Sequence, residues 1–197
     1  MFQNVKLIMA LAIVAFAAPL GAQDMSDGTM AVSSNGDVVV GGKEMSRGKD
    51  IIDNAVNSAD HTTLVAAVKA ADLVGTLKGK GPFTVFAPTN EAFAALPAGT
   101  VDNLLKPENK AALTKVLTYH VVAGKLDYAA LQDAIRKGKG TATLTTVAGG
   151  KLWARMNGPH NIVLQDESNK VSTISVYDVY QSNGVIQVID KVLLPKM

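Results

Sequence analysis

Three histidines, nine serines and no cysteine set the reach of acid–base, nucleophilic and metal chemistry in this chain. Without cysteine there is no thiol nucleophile, disulfide framework, Cys zinc site or iron–sulfur cluster. No serine sits in the G-x-S-x-G elbow that exposes a hydrolase nucleophile. Gly79-Lys80-Gly81 and Gly138-Lys139-Gly140 lack the spacing of a phosphate-cradling loop. His61, His120 and His160 stand 59 and 40 residues apart, so no H-E-x-x-H pair forms. No catalytic residue, metal site or cofactor is expected. His120 follows Tyr119 directly. It is read either as part of a partner surface or as a buried ring bonded to a neighbouring strand, and the second reading is the simpler. Asp190 has the same two readings, with its carboxylate accepting backbone N–H bonds in the structural one.

The elements that must position these residues follow from periodicity. Ile51, Ile52, Ala55 and Val56 have helical spacing. Asp60 reads as the cap of a second helix carrying Leu64, Val65 and Val68. Gly79-Lys80-Gly81-Pro82 is a turn, Phe83 to Ala87 a strand, and Pro88 its stop. Thr89 caps a helix with Glu91 in its first turn. Further helices start at Thr100, at Pro107 and after Asp127, and Tyr119 to Val122 reads as a strand. Beyond Gly140 the period becomes two, with strands expected over 141–147, 151–156, 161–165, 171–176 and 185–189. Helices first and strands second make an α+β fold, and the strands around Val85 and Val188 are expected to pair.

The first 22 residues form a separate unit. Lys6 precedes an apolar run from Leu7 to Ala18, and small residues follow Pro19. Twelve apolar residues span about 18 Å as helix, short of a bilayer core of about 30 Å. This is the pattern of a secretory signal peptide, so the rest is expected to be exported, to a periplasm or beyond the cell, with no membrane span. Residues 23–48, rich in Gly, Ser and charges, read as a flexible linker, and 49–197 as the folded domain. A formal charge of +2 does not suit a nucleic-acid binder. Arg136-Lys137-Gly138-Lys139 is a local basic run whose simpler role is to complement a helix end. Tyr128, Trp153, Tyr177 and Tyr180 are expected between helix and sheet, filling core or lining an apolar groove.

Three segments carry a family resemblance. They are Thr84-Val85-Phe86-Ala87-Pro88-Thr89-Asn90-Glu91-Ala92-Phe93, then Tyr119-His120, then Asn183-Gly184-Val185-Ile186-Gln187-Val188-Ile189-Asp190. In this order and spacing they resemble the fasciclin domain, whose last motif often carries His where Gln187 stands. The resemblance implies a wedge of two β-sheets with a helical layer. It implies mainly structural roles for Thr84, Phe86, Pro88, Thr89, Asn90, Phe93, Asn183, Gly184 and Val188. It also implies partner contacts near Tyr119, His120, Ile189 and Asp190, as in adhesive members. The expected function is a secreted, non-catalytic adhesion or partner-binding module for a cell-surface or matrix protein or polysaccharide. The alternative implied is a carrier of a hydrophobic small molecule such as a carotenoid.

Overall fold

The computed structural model describes Ser33 and residues 36–196. The expected signal peptide, residues 1–22, lies outside the described residues, as does most of the expected linker.

Residues 36–48 are not a linker. Strands β1 (Val38–Val40) and β2 (Lys43–Met45) form an antiparallel hairpin around Gly41-Gly42. Val40 and Met45 are buried in the main apolar cluster. Alternation supplies the reason: Val38 and Val40 share one face, and Met45, opposite Val38, lies on that face too. Helix α1 (Ile51–Ala55) anchors the hairpin through Asn54, which accepts from Ser46 N at 3.1 Å and donates to Ser46 O at 2.7 Å. The Asn54 amide also meets Gln181. Met45→Ala should therefore destabilise the protein by about 2 kcal/mol. A flexible linker would respond within about 0.5 kcal/mol, and a urea melt separates the two.

The helical half is laid down next. Helix α2 (Thr62–Ala70) is entered through a 3-10 turn, Ala59–His61, so Asp60 is not its cap. The capping acceptor comes from 27 residues along the chain: the Asn90 side chain accepts from Thr63 N at 3.0 Å and from the Thr62 hydroxyl at 3.1 Å, and donates to Ala59 O at 2.8 Å. Helices α3 (Val74–Leu77), α4 (Asn90–Ala94), α5 (Thr100–Leu104) and α6 (Lys110–Tyr119) follow. Pro107 opens a 3-10 turn before α6, where its missing N–H costs nothing. The expected strand from Tyr119 is shorter than read. Tyr119 still belongs to α6, His120 is its C-cap, and β4 is only Val121–Ala123. Helix α7 (Tyr128–Lys137) is capped by Asp127, whose carboxylate accepts from Ala130 N at 2.9 Å.

The sheet contains β3 (Phe83–Pro88), β4, β5 (Ala142–Thr145), β6 (Lys151–Asn157), β7 (Asn161–Gln165), β8 (Val171–Gln181) and β9 (Gly184–Ile189). Their order is β4-β3-β9-β8-β7-β6-β5, and a bridge between Val122 and Thr146 brings the two ends together. Strand β8 runs past the expected end at Val176 because bulges absorb its irregularity, with Asp178 at φ 58°.

The first and last motif strands pair in parallel at the centre, Phe83 to Gly184 through Pro88 to Ile189. Parallel pairs are covered on both faces, which is why both read as nearly unbroken apolar runs. Val85, Ala87, Ile186 and Val188 face a cluster with the hairpin, α1, α2 and α6. Phe86 and Ile189 face a second cluster with α7 and strands β5 to β8. Phe93 joins the first cluster, so Phe86 and Phe93 sit in different cores on either side of the Pro88-Thr89 corner.

Candidate functional site

The motif residues converge on the C-terminal segment. His120 is buried at the end of α6. Its Nδ1–H donates to Val116 O at 2.8 Å, and its Nε2 accepts from Leu193 N at 3.0 Å. Both bonds together require the neutral ring. Burial lowers its pKa to about 4, against smaller opposing effects of the Val116 bond and Asp166. Three more anchors hold the same segment. Asp166 Oδ2 accepts from Leu194 N at 2.9 Å, Glu167 Oε2 from Lys196 N at 3.0 Å, and Ser172 Oγ from Lys191 N at 3.1 Å. Hydrogen bonds from Lys151 N and Lys196 N hold the Glu167 carboxyl below its usual range.

Tyr119 is wholly buried, yet its hydroxyl donates to Lys151 O at 2.6 Å and accepts from Glu167 N at 3.1 Å. Burial pushes the phenol up to about 12. Tyr119 thus orders the β6 start and the turn that presents Asp166 and Glu167. Ile189 is fully buried as well. Of the four residues expected at a partner surface, only Asp190 is exposed. Its Oδ1 accepts from Thr173 N at 2.7 Å and from the Ser172 hydroxyl at 2.9 Å. Tyr119 and His120, at the end of α6, and Ile189, the last residue of β9, are buried and so cannot touch a partner directly.

The other motif residues are tied to backbone. Thr84 Oγ1 donates to Gly124 O at 2.7 Å and accepts from Leu126 N at 2.8 Å. Thr89 caps α4 by accepting from Ala92 N at 3.3 Å. Asn183 accepts from Ile51 N at 3.1 Å and donates to Leu77 O at 2.7 Å and Gly79 O at 3.2 Å. Val188 is buried and Pro88 ends β3. Gln187, the departure from the motif, is fully buried and satisfied. It accepts from Asp178 N at 3.1 Å and donates to Asp178 Oδ1 at 3.0 Å and Leu126 O at 3.1 Å. Asp178 then accepts from Tyr128 N at 2.7 Å, at the start of α7.

Several of these residues carried no local signal. Asp166, Glu167 and Ser172 read only as turn and strand residues, and Asp178 broke an apolar alternation without showing its partner. Among the described residues no group of three or more His, Cys, Asp or Glu is arranged to hold a metal ion. No described helix is long and apolar enough to cross a membrane. The basic run at 136–139 ends α7, and Arg136 pairs with Asp133 at 3.0 Å. Tyr128 and Tyr177 meet edge to face at 5.1 Å, and the Tyr177 hydroxyl accepts from Ile162 N at 2.7 Å, so these rings fill the space between α7 and the sheet.

Comparison with known proteins agrees with this arrangement. The sequence model of the Fasciclin domain matches residues 59–195. Protein sll1483 of Synechocystis is 51% identical over 148 residues, covering 75% of this chain and 74% of that protein. Immunogenic protein MPB70 of Mycobacterium bovis is 36% identical over 148 residues, covering 72% of this chain and 66% of that one. A solved FAS1 domain pair from the insect cell adhesion molecule Fasciclin I superposes with a TM-score of 0.64 at 17% identity, covering 74% of this chain and 51% of that chain. With its three motifs joined at one parallel strand pair and one clasped C-terminal segment, the chain belongs to the fasciclin domain family.

Proposed function

We propose that this chain is an exported, non-catalytic binding module that holds a cell-surface or matrix partner, with Asp190 at the centre of the contact. The observation that carries the reading is the use made of the motif side chains. Tyr119, His120, Asn90 and Asn183 spend their donors and acceptors on backbone groups. These four side chains build a rigid scaffold rather than a group poised for turnover. Of Tyr119, His120, Ile189 and Asp190, Asp190 is the exposed one, and its neighbours hold its carboxylate in one place. A fixed charge at the end of a stiff strand is suited to recognition. The composition of residues 1–22 supports export to a periplasm or the cell exterior.

The test is adhesion of cells to surfaces coated with the protein. Asp190→Asn keeps an acceptor for Thr173 and Ser172 and removes only the charge. Adhesion should fall about tenfold while the unfolding free energy stays within about 0.5 kcal/mol of the parent. Full adhesion by the variant would move the contact away from Asp190. No adhesion by the parent would remove the reading.

The carrier reading is constrained by a cavity of about 70 Å³ between the hairpin, α1, α2 and the central strands. Val40, Met45, Leu64, Leu117 and Val179 are among its walls. An engineered cavity of about 150 Å³ takes up one benzene. A long polyene would therefore have to open this core, and a colourless protein from its native host is the expected result.

A further inference from the structure

A second feature lies on the opposite side of the hairpin anchor. The turns at residues 79–82 and 181–184 touch, the Asn183 amide donating to Gly79 O at 3.2 Å, and together with Asp50, Lys78 and Lys125 they line an open surface cleft of about 590 Å³. That size suits one or two sugar units. Three ammonium groups belong to it, those of Lys78, Lys80 and Lys125. Lys78 is already matched, by Asp53 at 2.5 Å and Asp50 at 3.4 Å. Lys80 and Lys125 are exposed, and neither pairs with a carboxylate among the described residues.

Lys125 is also placed. Its ammonium lies 4.3 Å from the centre of the Tyr180 ring, and the Arg47 guanidinium lies 5.3 Å from the same ring. A cation held over an aromatic face loses less freedom when it meets an anion. Carboxylates nearby are engaged elsewhere: Asp37 lies 3.8 Å from Arg47, and Asp127 accepts from the Tyr180 hydroxyl at 3.4 Å.

The rest of the wall selects among anions. It consists of Asp50, whose carboxylate is matched by Lys78 at 3.4 Å, glycines, Pro82, Gln181, Ser182 and Asn183, with no large apolar or aromatic side chain. A protein partner would need such an anchor. A bilayer would need one to insert. The exposed Ser182 side chain suits the hydroxyls of a polyol. We propose that this cleft binds an acidic polysaccharide, with Lys80 and Lys125 meeting carboxylate or sulfate groups on its sugars. The proposal deepens the binding-module reading, on which it rests, by naming a ligand class and a second contact distinct from Asp190.

The experiment uses the full chain and polygalacturonate as probe, with neutral dextran and vesicles containing anionic phospholipid beside it. Polygalacturonate should be retained at low salt, and dextran and vesicles should not. Lys80→Ala with Lys125→Ala should weaken retention about tenfold and lower the slope of log affinity against log salt by roughly 1 to 2. Lys137→Ala with Lys139→Ala, on the remote basic run, should leave it unchanged. Circular dichroism melts check that both double variants fold. Failure to bind polygalacturonate, equal loss in the remote variant, or binding to vesicles alone would each overturn the proposal. Cell adhesion that survives loss of Lys80 and Lys125 would leave the module reading standing without this cleft. Polygalacturonate binding without any cell adhesion would sink the module reading and spare the cleft.

Discussion

His120→Ala should lower stability by about 4 kcal/mol. Two costs combine. Removing the buried ring leaves a cavity in a closed part of the core. It also strands Val116 O and Leu193 N, which the ring joins at 2.8 and 3.0 Å, at about 1–3 kcal/mol for each buried unpaired group. For a domain of this size the melting temperature should fall by roughly 8–16 °C. Asp166 and Glu167 would still hold Leu194 and Lys196, so the segment should loosen at Leu193 first. Hydrogen exchange at the Leu193 amide reports that directly. A melting temperature within about 2 °C of the parent would show that the latch carries no weight.

The same residue gives the fold a pH dependence of definite sign. The folded state keeps the ring neutral to about pH 4, while a free imidazole titrates near 6.5. The stabilisation is therefore complete above pH 6.5 and is lost as pH falls from 6.5 through 4, where unfolding takes up a proton. Over that window the loss amounts to about 3 kcal/mol. His61 adds to it in the same direction, since burial also lowers its pKa, against the nearby charge of Asp60. Urea melts at pH 7, 5.5 and 4.5 should show the parent midpoint falling and the His120→Ala midpoint falling less. Parallel curves would assign the acid sensitivity to other groups.

Much of this arrangement is legible in the sequence because each short signal has one physical solution. Asp127 before an amphipathic stretch is an N-cap, and it is one here. Two unbroken apolar strands demand cover on both faces, and β3 and β9 have it. What stays hidden is whatever depends on partners distant in the chain. Asn90 follows a capping threonine and reads as a helix residue, yet its side chain caps α2. Tyr119 and His120 have strand-like neighbours, but the Val116 bond keeps His120 within the helix geometry. The hairpin at 38–45 is missed because glycine and serine density signals a linker, while Val40 and Met45 need a tertiary surface to be read as core. Gln187 looks like a lost histidine until Asp178 arrives beside it.

Gly184→Ala should cost about 3 kcal/mol or more, for a reason that the Asn-Gly pair disguises. That pair suggests a turn glycine chosen for a left-handed conformation. Gly184 is instead the first residue of β9, opposite Phe83 in the parallel pair. A Cβ there would run into the Phe83 carbonyl oxygen and lie 3.0 Å from the Phe83 carbonyl carbon and nitrogen. Backbone, unlike a flexible side chain, cannot step aside without moving β3 from β9. Ordinary overpacking costs about 1–3 kcal/mol, and separating a strand pair buried on both faces adds to that. Gly158→Ala is the matched control. Its φ is 77°, but the space around it is open, so it should cost only about 1–2 kcal/mol. Gly81 lies under the same clamp, its added Cβ meeting the Asn183 carbonyl. Gly81→Ala and Gly184→Ala should therefore be non-additive, because either one already forces the same crossing apart. Equal urea midpoints for Gly184→Ala and Gly158→Ala would show that β9 yields easily. The expected large difference would show that the close crossing of β3 and β9 fixes both ends of β9 at once, the Asn183 turn beside the basic cleft and Asp190 on the opposite rim.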